Sequence, residues 1–456
     1  MPKILRIFAV WVAVAAISLL AAIVAGCASD PDLDGLKTPE FVSVSANAEG
    51  NSLTLDCIYK GSGVGLCGFV LSRGGKLVKK QEASTRSDGS FSLTVNELEY
   101  NTEYTYYAWI SNGSAEVHSN TGVARTEKEP SIDIPDANFK AYCVKNFDMD
   151  GDGEISEEEA LRVTVISFYS DIKHQNVKSL KGIEHFKNLV ELSCSGNPDL
   201  ESNHLGQITS LDLSNNTSLV MLNCDNNLLS SLDLSKNTLL KDLYCRWNFL
   251  AALDVRNNKE LIRMHCSGNQ IAAIDVSNNT ALRDFWCENN LLKGLDVSKN
   301  TALIYLGFSG NSISSIDLSN NTALDKLWCV SNQLSTIDVS HSTALTEFNC
   351  GVNQLTSLDV SKNTALTTLV CCYNQLSSLS LASNTALQEL ECHTNKLTSL
   401  DISRNASLSK LSAWPQIGTL AELFKKQNQS VTYYEGAFFE NVIDPADYGT
   451  KIIEVE

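Results

Sequence analysis

The twelve residues from Asp148 to Glu159, DMDGDGEISEEE, combine side-chain types and spacing that could hold a metal ion. Asp148, Asp150 and Asp152 alternate, so three carboxylates can converge on one centre. Gly153 permits a sharp turn, Glu154 offers its backbone carbonyl, Ser156 reaches through a water, and Glu159 closes the set with both carboxylate oxygens. Hard oxygen donors in this order suit calcium. Ile155 takes the apolar position that would tie the loop to the protein. A solvated acidic turn is the plainer reading of the same residues. Sensors usually pair two such loops, so a single one points to a structural calcium.

A second group of residues suits recognition rather than reaction. Tyr244, His265, Trp286 and Trp328 occupy matching places in a repeated pattern. Asp242, Arg246, Arg263, Asp284, Glu288, Tyr305 and Lys326 lie beside them. Aromatic anchors among mixed charges describe a protein-binding surface. Tyr244, Trp286 and Trp328 recur at every second repeat, hence about 10 Å apart if repeats are neighbouring strands, and that spacing also suits a glycan. Burial of these aromatics under caps or a neighbouring molecule is the third option. Catalysis is not expected. His265 beside Cys266 suggests a thiol dyad, but adjacent strand residues point to opposite faces. No HExxH, GxSxG, phosphate-cradling glycine loop or CxxC pair is present.

What must position these residues is a 21-residue unit, LDVSxNTxLxxLxCxxNxLxx, which recurs ten times from Leu211 without a slip in length. Such a period is the signature of a solenoid whose turns bury their leucines against one another. The cysteines at 224, 245, 266, 287, 329, 350, 371 and 392 share one place in the unit, with Cys194 matching in an earlier turn and Phe308 filling the slot once. Stacked strands set them about 4.8 Å apart with parallel Cβ vectors poorly aimed for disulfides. They read as small core hydrophobes, with pairing or metal binding as the alternative. Asn227 to Asn374 form a second ladder that should satisfy buried turn backbone. An irregular first turn spans Ile183 to Leu200, and nine extra residues lie between Pro198 and Ser210 as an insertion. After Ser412 the pattern fails at Ala413, Pro415 and Gln416. A short helix near Leu420 to Lys426 and a strand near Val431 to Tyr434 are expected in a C-terminal cap.

Each unit holds the halves LxxLxCxxNx and LxxLDVSxNTx, so the stretch from Ile183 to Ser412 resembles the leucine-rich repeat family, in its short nested bacterial type, and more loosely the internalins. The resemblance implies a binding solenoid. The segment IPDANFKAY, from Ile134 to Tyr142, opens a helix expected to run to about Asn146. With the Asp148 loop, which is EF-hand-like, it resembles the N-terminal cap of a group of bacterial leucine-rich repeat surface proteins. A cap is physically required to cover the first turn's apolar edge.

The remainder of the chain speaks to location. Lys3 and Arg6 precede an apolar run, Ile7 to Val24, ending in Val24-Ala25-Gly26-Cys27. A membrane-spanning anchor is one reading, and a signal peptide is the other. The VAGC sequence resembles a bacterial lipobox, which implies lipidation at Cys27 and membrane attachment through acyl chains. Ala28 after the cysteine and Asp30, Asp32 and Asp34 beyond it imply, by the same resemblance, the outer membrane and its exterior face; an acidic linker is the alternative. From Thr38 to Thr126, short alternating runs between Gly, Ser and Asn clusters predict an antiparallel sandwich. Leu98 to Tyr104 resembles the corner before strand F of fibronectin type III domains, which implies Leu98 in the core and a Tyr104 hydrogen bond across the turn. Strand B there would carry a tryptophan that Ser52 to Tyr59 lacks. Cys57 and Cys67 could be bridged or free.

A chain of 456 residues suggests several domains, and a formal charge of -18 argues against a nucleic-acid partner. The expected architecture is multidomain. It comprises a signal peptide (1–26), an acidic linker (27–37) and an all-β fibronectin/Ig-like sandwich (38–127). A small helical EF-hand-like cap (128–182), leucine-rich repeats (183–412) and a C-terminal cap (413–456) follow. The expected role is a surface lipoprotein that binds an extracellular protein or glycan, with an inert coat component as the remaining possibility.

Overall fold

The structure is a computed structural model that describes residues 39–455, save 63, 114, 169–176, 197–205, 428 and 436–440. The expected signal peptide, the lipidation site Cys27 and the acidic linker therefore lie outside the described residues, as does most of the insertion after Pro198. The chain divides into two compact units, 1–129 and 130–456.

The first unit contains β1 (Glu40–Glu49), β2 (Ser52–Lys60), β3 (Leu66–Arg73), β4 (Lys76–Ala83), β5 (Ser90–Val95), β6 (Glu103–Ser111), β7 (Glu116–His118) and β8 (Gly122–Arg125). One antiparallel sheet has the order β1-β2-β5. A second runs β4-β3-β6-β7, with β8 also on β6. Alternation explains the packing: Leu53, Leu55 and Cys57 of β2 and Tyr104, Tyr106, Ala108 and Ile110 of β6 turn into one shared core. Leu98 is buried in it, and the Tyr104 hydroxyl accepts the Glu99 N–H at 3.0 Å. Cys57 and Cys67 are free, buried thiols.

The second unit opens with α1 (Ala137–Phe147), whose N-cap Asp136 accepts the Asn138 and Phe139 amides. The other Asp136 oxygen takes the Lys178 and Ser179 amides, at 2.8 and 3.2 Å, so one side chain ties the helix start to the chain that leads into the repeats. A short α2 (Glu157–Arg162) begins with a Ser156/Glu159 capping box. Phe139, Tyr142, Phe168 and Phe186 interlock beneath, forming an apolar lid on the solenoid.

Three-residue strands then stack in parallel: β9 (Val165–Ser167), β10 (Glu191–Ser193), β11 (Met221–Asn223), β12 (Asp242–Tyr244), β13 (Arg263–His265) and β14 (Asp284–Trp286). They continue as β15 (Tyr305–Gly307), β16 (Lys326–Trp328), β17 (Glu347–Asn349), β18 (Thr368–Val370) and β19 (Glu389–Glu391). The C-terminal strands are β20 (Ser399–Asp401), β21 (Lys410–Trp414), β22 (Glu422–Lys426), β23 (Thr432–Glu435), β24 (Asn441–Val442) and β25 (Lys451–Val455). The main sheet runs from β9 to β19 and on through β21, β23 and β24. In strands β10 to β19 the middle side chain, such as Leu243, Met264 or Phe285, is fully buried, and the cysteine that follows, or Phe308 after β15, is buried with it. These cysteines are free thiols, packed as core. The pairing of β10 with β11 keeps full register across the insertion, so the extra residues leave the sheet intact.

Two asparagine ladders hold the turns. Asn269 donates to the Cys245 and Cys266 carbonyls at 2.9 and 3.0 Å and accepts the Leu250 amide at 3.0 Å. A second ladder, unnoticed in the sequence, uses the asparagine of the NT pair: Asn279 donates to the Val255 and Asn258 carbonyls at 2.9 and 2.8 Å. The aspartate after the first Leu or Ile of a repeat closes its own turn, as when Asp275 Oδ1 accepts the Ser277 amide at 3.0 Å.

The structure corrects three expectations. Leu420 to Lys426 does not form a helix; β22 lies there, in parallel register with β20 and β25. The local LAELFKK pattern favours helix, but open strand edges on both sides and the burial of Leu423 override it. The sheet also begins one turn earlier than Ile183, because β9 supplies the first rung beside β10. Nor does the coil stop at Ser412. Ala413 fills the cysteine slot and Gln416 does the asparagine's work, donating to the Cys392 and Ala413 carbonyls and accepting the Asn395 and Leu397 amides.

Candidate functional site

Strand alternation leaves the residues on either side of each buried middle position half-exposed, so the expected recognition residues share one face of the main sheet. Register places Tyr244 beside His265 and His265 beside Trp286. Their rings meet edge to face with centroids 5.0 and 6.2 Å apart. Trp286 then contacts Trp328, two strands away, at 5.1 Å. The strand between them offers Gly307, and a Cβ there would lie 2.2 Å from Trp286 Cε3. The expectation of aromatics spaced about 10 Å apart is therefore corrected: a missing side chain lets two tryptophans lean together, and the four rings form one continuous row.

The charges around the row are paired across strands. Arg263 Nε and Nη2 donate to the two Asp242 oxygens at 2.6 and 2.9 Å, and this bonding raises the guanidinium's already high affinity for its proton. Arg246 is bound to Asp225, whose side chain is almost wholly buried. Lys326 Nζ lies 2.9 Å from Glu347 Oε2, while Trp328 Nε1 donates to the other Glu347 oxygen at 2.8 Å. Asp284 accepts from Trp286 Nε1, and its second oxygen lies 3.1 Å from His265 Nε2, close but out of line for a hydrogen bond. Tyr305 lies beside Asp284 and Lys326 in register. Burial raises the Tyr244 phenol and the Glu288 carboxyl above their ordinary ranges. The face thus has an aromatic spine among cations that are paired across strands, while Asp284 bonds the neutral Trp286 indole. Trp247, not anticipated, is 52% exposed just beyond β12 and covers Gly268. Its sequence signal is an indole immediately before a ladder asparagine, at a place other turns give to smaller residues.

The acidic loop joins α1 to α2. Asp148, Asp150 and Asp152 each bring a carboxylate oxygen within 4.8 Å of the others. Gly151 and Gly153 have φ of 75° and 85°, the left-handed turns that let the chain wrap the cluster. Asp148 accepts the Gly151 and Gly153 amides, and Asp152 accepts that of Glu154. Asp150 takes the Asp152 amide, which favours its charged form, but desolvation and the charges of Asp152, Glu159 and Asp148 outweigh this and raise its proton affinity. Three convergent carboxylates fit a hard dication, whose charge would relieve that repulsion. Glu159 is turned to the backbone, one oxygen accepting the Met149 amide at 2.6 Å and the other the Ser156 amide at 2.9 Å. It ties together the two ends of the loop. The Ser156 hydroxyl caps α2, and the Glu154 side chain pairs with Lys140 at 2.6 Å.

No protein-family model matches the chain, and no curated protein matches it. Among solved structures, the functional domain of InlJ from Listeria monocytogenes, described as including a cysteine ladder, aligns at 30% identity over 71% of this chain and 71% of that chain, with a TM-score of 0.58. YopM, a leucine-rich effector protein from Yersinia pestis, aligns at 22% identity over 52% of this chain and 78% of that one, with a TM-score of 0.39. The APL1 leucine-rich repeat domain aligns at 19% identity over 64% and 97%, with a TM-score of 0.42.

Proposed function

Because the chain belongs to the leucine-rich repeat family, we propose that it is a recognition protein whose main-sheet face binds an extracellular protein, with no bond made or broken. The observation that carries this reading is the aromatic row Tyr244, His265, Trp286 and Trp328 set among cations, Arg246, Arg263 and Lys326, that are already paired. Rigid half-exposed aromatics lose little entropy on binding, and paired charges avoid an unmatched desolvation cost. Ring edges and ring faces in this row occupy one another. That favours a protein over a glycan, which would need free ring faces at regular intervals.

The VAGC segment supports a lipid anchor at Cys27, Ala28 after it supports the outer membrane, and Asp30, Asp32 and Asp34 support its exterior face. The two-sheet first unit, with its Tyr104 corner bond, supports a fibronectin-like spacer. The Asp148 loop supports an EF-hand-like structural calcium that stiffens the cap.

The test is a screen of the full chain, with calcium, against arrayed extracellular proteins and glycans, followed by the variant with Tyr244, Trp286 and Trp328 all changed to Ala. A protein hit should lose at least about tenfold in affinity, the scale of one or more interface hot spots. Undiminished binding by the triple variant would sink the aromatic-face reading, and a glycan hit abolished by it would favour the other ligand class. Mass spectrometry of the membrane fraction checks Cys27, since an unmodified thiol there is incompatible with a lipid anchor.

A further inference from the structure

We propose that Cys372, Glu391 and His393 form a binding site for a borderline-soft divalent cation of the zinc class, separate from the acidic loop and independent of the binding-face reading. The three side chains are all buried, and one ligand atom from each lies within 4.8 Å of the others.

The repeat brings them together. Cys372 and His393 follow the cysteine slots of successive turns, so they hold the same place one rung apart. Glu391 ends β19, just before the second of those slots. The backbone around them is held by hydrogen bonds from Cys371 N to Glu391 O at 2.8 Å and from Tyr373 N to His393 O at 3.1 Å. On the preceding rung the equivalent residue is Gly351, where a Cβ would lie 3.2 Å from Cys372 Sγ. The sulfur therefore has room that other turns fill with a side chain.

His393 is the observation that points to a ligand. Its side chain is fully buried, Nδ1 lies 3.0 Å from Thr394 Oγ1, and Nε2 has no hydrogen-bond partner. A buried imidazole nitrogen left unmet is destabilising. With Nδ1–H donated to the Thr394 hydroxyl, Nε2 presents its lone pair, and Thr394 fixes the ring as outer partners of metal-binding histidines do. Sulfur, nitrogen and oxygen are the zinc donor set, with three protein ligands and a fourth position for water. Ligands at about 2.0 to 2.3 Å from a tetrahedral ion stand roughly 3.5 Å apart, so closing the set needs movements of about an ångström. Binding would displace the Cys372 thiol proton to solvent and leave a thiolate–metal bond. Tyr373, 49% exposed, packs edge-on against His393 with centroids 5.0 Å apart, which places the cluster one side chain below the surface.

Cobalt(II) is the probe, added to chelator-stripped, reduced full-length protein. The site should take up one equivalent with a thiolate-to-cobalt charge-transfer absorption, and zinc should displace it. Oxygen-only coordination at the acidic loop cannot give that band. Cys372→Ser should abolish it and Cys57→Ser should leave it unchanged. Glu391→Gln and His393→Gln should each weaken cobalt binding about tenfold or more, with circular dichroism confirming that the variants fold. Absence of the band in the unaltered protein overturns the proposal whatever the variants do. Persistence in folded Cys372→Ser, or unweakened binding in both other variants, also overturns it.

Discussion

Trp286 and Trp328 meet edge to face across the strand that separates them, because that strand places Gly307 where its neighbours carry side chains. One glycine thus converts alternate rungs of a ladder into adjacent partners.

Adding a single methyl at that point should undo the contact. Gly307→Ala places a Cβ 2.2 Å from Trp286 Cε3, so the ring must move, at a cost of about 1–3 kcal/mol. The expected readouts are a lower melting temperature and loss of the Trp–Trp exciton signal in circular dichroism. An unchanged exciton signal would contradict the geometry.

The acidic loop predicts a conditional effect. Asp148→Ala removes the acceptor of the Gly151 and Gly153 amides as well as one of the three convergent carboxylates. If calcium occupies the loop, the melting temperature should fall several degrees with calcium present and much less in chelator. Equal losses in both would assign Asp148 to turn structure alone.

The two asparagine ladders should differ in energetic weight. Asn269→Ala leaves the buried Leu250 amide without its partner and takes one of two donors from each of the Cys245 and Cys266 carbonyls, which keep Asn248 and Asn290, and about 1–3 kcal/mol should be lost. Asn279→Ala strands no backbone group, since the Val255 and Asn258 carbonyls keep the Asn258 and Leu261 amides, and its Oδ1 is buried without a partner already, so the loss should be smaller. Thermal melts of the two variants side by side decide the order; a larger effect at Asn279 would contradict it.

The cysteine ladder predicts alkaline sensitivity. Burial pushes the Cys266 thiol from an ordinary 9.0 up to about 12, and Cys245 and Cys287 also rise, first through burial and then through neighbouring thiols. A pKa raised by folding means that the native state holds its proton more tightly than the unfolded chain. The stabilisation is complete below pH 9 and is lost as pH climbs through the folded values, since unfolded thiols ionise first. Melting temperature should therefore fall steeply above pH 9, and alkylation of the ladder at pH 8 should require unfolding. Rapid labelling of Cys266 in the native protein would refute its burial.

The repeat, the cysteine and leucine core and the strand alternation were all legible in the sequence, because a fixed period and a two-residue alternation translate directly into stacked rungs with an inside and an outside. So was the convergence of Asp148, Asp150 and Asp152, whose spacing is local. Tertiary structure alone decided what depends on partners distant in sequence or on an absent side chain. The strand at Glu422–Lys426 arose from open edges at β20 and β25 rather than from its own propensity. Gln416 revealed its role only when its reach to Cys392 was known. The doubled Cys371-Cys372 and the later Cys392-His393 were visible as text, yet the period assigned only Cys371 and Cys392, as core, and gave Cys372 and His393 no role. The fold separates the inward ladder from Cys372 and His393, because consecutive residues of a rung face different sides, and only stacking brings Cys372 beside Glu391 and His393 of the next rung.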